Sequence, residues 1–373
     1  MHRRIFPARP DWQQKVADIG LTFHTIDGLP YWDESVAYEF SMAQIETLER
    51  AGAELHARYL DAAEAVIQND WWHRLGIPEA AMMPIMASWE REDFSIYGRF
   101  DLAWDGSGEP KLLEYNADTP TALLESSVAQ WYWLQDVAPE ADQLNSLHER
   151  LVEAWKSHPQ SHIHFTCMDS SDEDVMTTQY LRETAQQAGK ETTFLPISGV
   201  GWNAGMKKFV DLEDRPIEAI FKLYPWEWMW TDQFSAQLPG RCHTFCEPIW
   251  KMLLSNKGLL PILWELFPDH PNLLPAFDSA APLKGNHVEK PKLSREGANV
   301  TIVENGVVVA QQGGNYSAGG SIFQAIAPLA RISGQTPVLG LWMVQGDPAG
   351  LGIREENQRI TSNLSRFVPH LIR

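Results

Sequence analysis

Long apolar runs are missing from this chain: none approaches the roughly 20 residues that a membrane-spanning helix needs. The basic start, MHRRIFPARPDWQQK, is not followed by an apolar core of signal-peptide length. A cytoplasmic protein with no membrane partner is therefore expected. Cysteine is scarce as well. Cys167, Cys242 and Cys246 are an odd trio that frames no disulfide scaffold and suits a reducing compartment. Neither Cys242, His243 and Cys246 nor His158, His162 and His164 have the spacing of a standard zinc site, and no second cysteine pair exists. Positive charge is also in short supply, with 30 Lys and Arg against 49 Asp and Glu and a net charge of −19. Nucleic acid is excluded as a partner, because a phosphate backbone needs a basic surface. The same field would favour a cationic substrate. The G-x-x-x-x-G-K-[ST] phosphate loop is absent. No repeat, low-complexity tract or flexible linker stands out.

What the chain does have is enough material for two to three closely packed sub-domains, at 373 residues with 44% hydrophobic side chains. Sixteen tryptophans, several clustered at Trp71–Trp72, Trp131–Trp133 and Trp226–Trp230, point to an aromatic core and to subunit contacts. Residues 41–70 open on a serine, and Leu48, Ala51, Leu55, Tyr59 and Ala62 recur at helical spacing. A second helix is expected over about 121–137. From about 160 the texture changes to strand (HIHFTCM), helix (TTQYLRETAQQAG) and strand (ETTFLPI), an α/β arrangement. IEAIFKLYPW is a further strand leading into an aromatic loop. CEPIWKMLLSNKGLLPILWELF reads as helical, and the Gly-rich remainder after 283 as strands. The approximate sub-domains are 1–150, 151–240 and 241–373.

Chemistry concentrates in YGRFDLAWDGSGEPKLLEYNADTP, two strands about a strong turn. Alternation pairs Asp101 with Glu114, Arg99 with Asn116 and Ala103 with Leu112. Arg99, Asp101, Glu114 and Asn116 then share one face, while Phe100, Leu102, Trp104, Leu113 and Tyr115 share the other. Cross-strand neighbours lie roughly 4.5–5.5 Å apart at Cβ. Two carboxylates and an amide oxygen suit magnesium, and the arginine suits a phosphate or carboxylate oxygen. The alternative is a solvated face with two surface ion pairs. Lys257 and Lys290 are candidate phosphate contacts, although a lone lysine is more often a surface residue. Gly297, in SREGAN, could help fold a backbone loop over phosphates. Gln324 centres a segment that could serve as an adenine hinge or as a plain strand. Arg354 could stabilise a moving phosphoryl group or pair with Glu355 or Glu356.

YGRFDLAWDG, LLEYNADTPT, FKLYPWEW, CEPIWKMLLSNKGLLPILWELFP, EKPKLSREGAN and GIREENQRITSN, in this order, resemble the synthetase region of the glutathionylspermidine synthase family. The resemblance runs from near residue 10 to the C-terminus. It implies a mixed α/β fold, a permuted ATP-grasp with an additional α/β sub-domain and N-terminal helices. It also implies an ATP-dependent ligase that joins an acid to an amine through an acyl phosphate, with two magnesium ions held by Asp101, Glu114 and Asn116. Arg99 and Arg354 would face the transferred phosphoryl, and Lys257, Lys290, Gly297, Asn299 and Gln324 would bind ATP. Thr119 and Thr121 stand where the family has serines that hold a glutathione-like peptide. Arg295 would pair with that peptide's terminal carboxylate, and Glu227 would lie near an amine such as a polyamine. The chain starts at the synthetase region, so no N-terminal amidase domain is expected. A second copy of the chain is a candidate partner. ATP binding or hydrolysis without ligation is the alternative activity.

Overall fold

The computed structural model describes residues 1–26, 28–295, 297–316, 319–361 and 365–373. Two five-stranded antiparallel sheets and one four-stranded parallel sheet surround the cleft. The first sheet runs Arg366–Val368, Asp347–Glu356, Thr336–Val344, Tyr97–Ala103 and Lys111–Asn116. The hairpin at 97–116 thus joins strands more than 200 residues later in the chain. The second antiparallel sheet runs Ala276–Phe277, Ser321–Gln324, His287–Pro291, Thr301–Glu304 and Val307–Gln311. In the parallel sheet, Phe245–Cys246, Ile220–Leu223, His162–Cys167 and Glu191–Pro196 lie side by side. Helix Asp172–Gln187 makes the crossover between the last two.

The long helix Met42–Gln68 begins where the serine signal placed it. Ser41 accepts from the Gln44 backbone, and the Gln44 side chain answers, a capping box. Its buried stripe includes Leu48, Ala51, Leu55, Tyr59 and Ala62, the residues at helical spacing. The tryptophan clusters divide as an aromatic core requires: Trp133 and Trp226 are fully buried, whereas Trp131 is 42% exposed. Among the described residues no helix is long and apolar enough to cross a membrane.

Two local expectations are corrected. The stretch around Lys257 is not one helix but two, Lys251–Leu254 and Leu259–Leu266. Asn256 makes the break: its Oδ1 accepts from the Gly258 N–H at 2.8 Å and its Nδ2 donates to the Leu75 carbonyl at 2.8 Å. The second correction concerns the hairpin. Arg99 pairs with Asn116 and Asp101 with Glu114 as alternation demands, but a bulge then pairs Leu102 with Leu112 and Ala103 with Lys111. Leu112 therefore takes the core position, and Leu113 turns out of it into the cleft.

Candidate active site

The cleft of about 220 Å³ lies between the two antiparallel sheets and is closed at one end by the carboxyl edge of the parallel sheet. Its centre is the polar face of the hairpin. Asp101 accepts from Arg99 Nε at 2.7 Å and from Arg354 at 3.1 Å, so Arg354 pairs here and not with its chain neighbours Glu355 or Glu356. Asn116 Nδ2 reaches Asp101 at 3.4 Å and Glu114 at 3.3 Å. Gly340 faces Asp101 on the adjoining strand, and a Cβ there would stand 2.8 Å from the Arg99 Cδ. The absence of that side chain leaves the lane in which Arg99 lies.

Two lysines approach from outside the hairpin. Lys257, in the helix break, sits 3.2 Å from Glu114. Lys290 donates to the Leu113 carbonyl at 2.9 Å and to Gln324 Oε1 at 2.8 Å. The first of these acceptors lies at the bulge, and Gln324 is itself held by its Nε2 on the Leu112 carbonyl at 3.1 Å. The Gln324 side chain thus aims Lys290, while Gln324, Ala325, Ile326, Ala327 and Leu329 wall the apolar end of the cleft with Val288 and Ile302. Burial pushes the Lys290 ammonium down to about 8 despite the pull of Glu114. Burial alone would raise the Glu114 carboxyl, but Lys257 and then Lys290 outweigh it and hold it at about 2.

Among the described residues no group of three or more His, Cys, Asp or Glu forms a metal cage. The hairpin's donor set is instead two carboxylates and one amide. That set fits magnesium, a hard cation that takes its remaining ligands from water and substrate phosphates. Asp101, Glu114 and Asn116 would hold it.

The substrate-side residues also gather. Thr119 and Thr121 line the cleft with Arg295 and Gly297. The Thr121 carbonyl accepts from Arg99 at 2.6 Å, and the Thr119 hydroxyl touches Arg295. Arg295 pairs with Glu227 at 3.0 Å and lies over the Trp228 ring. Glu227 stands behind Arg295 and borders a neighbouring depression. Asn299 is not on the cleft wall; its Oδ1 accepts from the Tyr316 N–H at 2.8 Å and so shapes the loop from within. Gly297 has φ near +70°, and a Cβ there would meet the Thr361 carbonyl at 2.4 Å. This loop closes on the segment that follows Arg354.

Two pieces of the site escaped the sequence reading. Asp118 accepts from Lys222 at 2.6 Å and from the Trp226 N–H at 3.0 Å, which ties the threonine loop to the PWEW loop. A lysine within an otherwise apolar strand, IFKL, was its signal. Tyr31 and Glu173 form the third side, with Glu125 behind Tyr31; nothing in their spacing marks them, because they come from three separate segments.

A family model described as glutathionylspermidine synthase preATP-grasp matches residues 3–373. A Haemophilus influenzae protein named "Putative acid–amine ligase" is 39% identical, with 98% of each chain covered. Trypanothione synthetase of Crithidia fasciculata is 29% identical over 85% of this chain and 53% of its own. The bifunctional glutathionylspermidine synthetase/amidase of Escherichia coli is 26% identical over 90% of this chain and 59% of its own. The chain thus spans between half and three fifths of those two longer relatives. Among solved structures, a glutathione synthetase-like effector of Globodera pallida in its apo form superposes with a TM-score of 0.57. That match covers 97% of this chain and 96% of the effector at 9% identity, and it speaks for the fold alone, mixed helices and sheets of the ATP-grasp type. Match and fold together place this chain in the glutathionylspermidine synthase family.

Proposed function

We propose that the protein is an ATP-dependent ligase that joins a carboxylic acid to an amine by way of an acyl phosphate. The observation that carries this reading is the convergence of Asp101, Glu114 and Asn116 with Lys257, Lys290, Arg99 and Arg354 between two sheets. A carboxylate is a poor electrophile, and transfer of a phosphoryl group to it creates a good leaving group. Such transfer is catalysed mostly by positioning and by compensating charge. Magnesium, two ions in this proposal, would neutralise charge on the nucleotide phosphates when bound. Lys257 and Lys290 would grip those phosphates, and Arg99 and Arg354 would face the group in transit. The apolar wall at 324–329, with Val288 and Ile302, suits a purine, and Gly297 with Asn299 shapes the loop that covers the nucleotide.

The acid is proposed to be peptide-like. Arg295 offers a guanidinium to a carboxylate, and Thr119 and Thr121 offer short polar contacts. Glu227 would bind a cationic amine, as in a polyamine. Its present pairing with Arg295 is an internal neutralisation that substrate charges would replace. An acyl phosphate hydrolyses readily, so closure of the loop at Gly297 serves to exclude water.

The test is a mass-spectrometric screen of peptide acids, glutathione among them, against diamines and polyamines with Mg-ATP. A new amide mass appearing together with ADP is expected. ADP without amide across the whole panel would favour a phosphatase-like ATP turnover and sink the ligase reading.

A further inference from the structure

One end of the cleft has no task in the ligase reading so far. Beyond Arg99 and Thr121 its wall is Tyr31, Met168, Glu173 and Leu223. Leu223 ends one parallel strand, and Met168 directly follows the neighbouring one. The space outside the carboxyl ends of such strands is where open α/β sheets bind ligands. Tyr31 is pinned in place by its backbone, with its N–H on the His24 carbonyl at 2.9 Å and its carbonyl accepting from Phe367 at 2.7 Å. Its hydroxyl turns inward and donates to Glu125 Oε1 at 2.7 Å.

Glu125 opens the π-helical turn Glu125–Ala129, a form that recurs at functional sites. It is 1% exposed, and among the described residues it joins no ion pair. A glutamine would accept the same hydrogen bond without the cost of burying an ionisable group. Meanwhile a ligase must strip a proton from an ammonium before it can attack, and Glu227, proposed above to hold a distal charge of a polyamine, borders the neighbouring depression and not the wall of this end of the cleft.

We propose that Tyr31 and Glu125 form a proton relay for the acceptor amine, which makes this end of the cleft the station of a primary aliphatic ammonium. The inference rests on the ligase reading. The ammonium N–H bond breaks and its proton passes to the Tyr31 oxygen as the phenolic proton passes to Glu125. The neutral amine then bonds to the acyl carbon, the C–O bond to phosphate breaks, and the second amine proton leaves with the phosphate. Glu125 returns its proton to water after release. The groups facing Glu125 are Tyr31, Glu173 on the crossover helix and Arg99 on the hairpin; Arg354 also acts on Tyr31. Burial and then Glu173 raise the carboxyl to about 7, against the Tyr31 hydrogen bond and Arg99. Above that pH Glu125 is ionised and accepts; below it the carboxyl is already protonated and the relay stops.

The variants are Glu125→Gln and Tyr31→Phe in the full chain. Without substrates, infrared difference spectra taken from about pH 9 to about pH 5 should show a protonated-carboxyl band with a midpoint near 7 that Glu125→Gln lacks. No such band overturns the relay. With the acid and amine found by the screen, hydroxylamine, a nucleophile neutral at pH 7, is compared with the alkylamine. The ratio of hydroxamate to amide formation should rise about 10²-fold in either variant, the size of a general-base contribution. Variant kcat for the alkylamine should keep climbing at alkaline pH where the wild type has levelled. Equal losses with both nucleophiles overturn the relay and leave the ligase standing. A wild type that makes neither hydroxamate nor amide defeats the ligase reading itself.

Discussion

Lys222 and Lys251 lie behind the cleft, Lys257 and Lys290 beside it, and all four are more than nine-tenths buried. The first two are sealed. Lys222 holds Asp118 at 2.6 Å over the Trp226 ring, and Lys251 holds Glu247 at 2.9 Å. Among the described residues neither carboxylate forms an ion pair with a second cation, and further N–H and O–H donors complete each one, tying loops to strands. Lys257 and Lys290 share one carboxylate, Glu114, and otherwise meet neutral carbonyl oxygens. Burial without full neutralisation is why the Lys290 ammonium falls to about 8. An anion placed in the cleft would supply what is missing. Sealed charges build the site, whereas the open ones are those that the proposed function assigns to the ligand.

The largest effect should come from breaking a sealed pair. Lys222→Met leaves Asp118 buried and uncompensated, and urea denaturation should show a loss of about 3–5 kcal/mol. Adding Asp118→Asn should restore a large share. Lys290→Met should do the reverse: stability within about 1 kcal/mol of the parent, with ADP release down roughly 10²-fold or more. Full ADP release by that variant would remove Lys290 from the phosphate site.

A sealed neutral group extends the comparison to pH. His370 is fully buried between Gln130 and the Leu144 N–H, and burial pushes it down to about 3. The unfolded chain binds this proton first, so stability is complete above the ordinary histidine range and is lost as pH falls. The expected slope is about 1.4 kcal/mol per pH unit below roughly 6.5. His370→Gln should flatten that slope in denaturation curves at several pH values; an unchanged slope would assign it to other groups. The smallest effect belongs to the open loop. Gly297→Ala brings a Cβ against the Thr361 carbonyl and a left-handed backbone cost of about 1–2 kcal/mol. With the loop closing on nucleotide as proposed, the ATP KM should rise about tenfold, and unfolding should shift by no more than that backbone cost.

How much of this was legible depends on how local the physics is. The Asp101–Glu114 and Arg99–Asn116 pairings followed from apolar alternation, since one face of the hairpin must be buried. The bulge at Leu113 did not follow, because both leucines there suit either face. Its consequence is functional: the Leu113 carbonyl accepts Lys290 and the side chain walls the cleft. Lys257 is legible as a residue but its place in a helix break is not, since nothing local shows that Asn256 finds the Leu75 carbonyl, far away in the chain.

By itself the sequence specified the Arg99–Asn116 and Asp101–Glu114 pairings of the hairpin, the serine-capped helix with its buried stripe, and the motifs that carry the family resemblance. Each rests on side-chain period or on short-range hydrogen bonding, which neighbours in the chain settle among themselves. Only the tertiary structure decided that strand Thr336–Val344 completes the sheet beside that hairpin, that Lys222 belongs to Asp118, and that Tyr31 meets Glu125. Such partners lie scores to hundreds of residues apart. Their pairing is selected by which buried charges and hydroxyls can be satisfied once the core has closed, a condition no local pattern encodes.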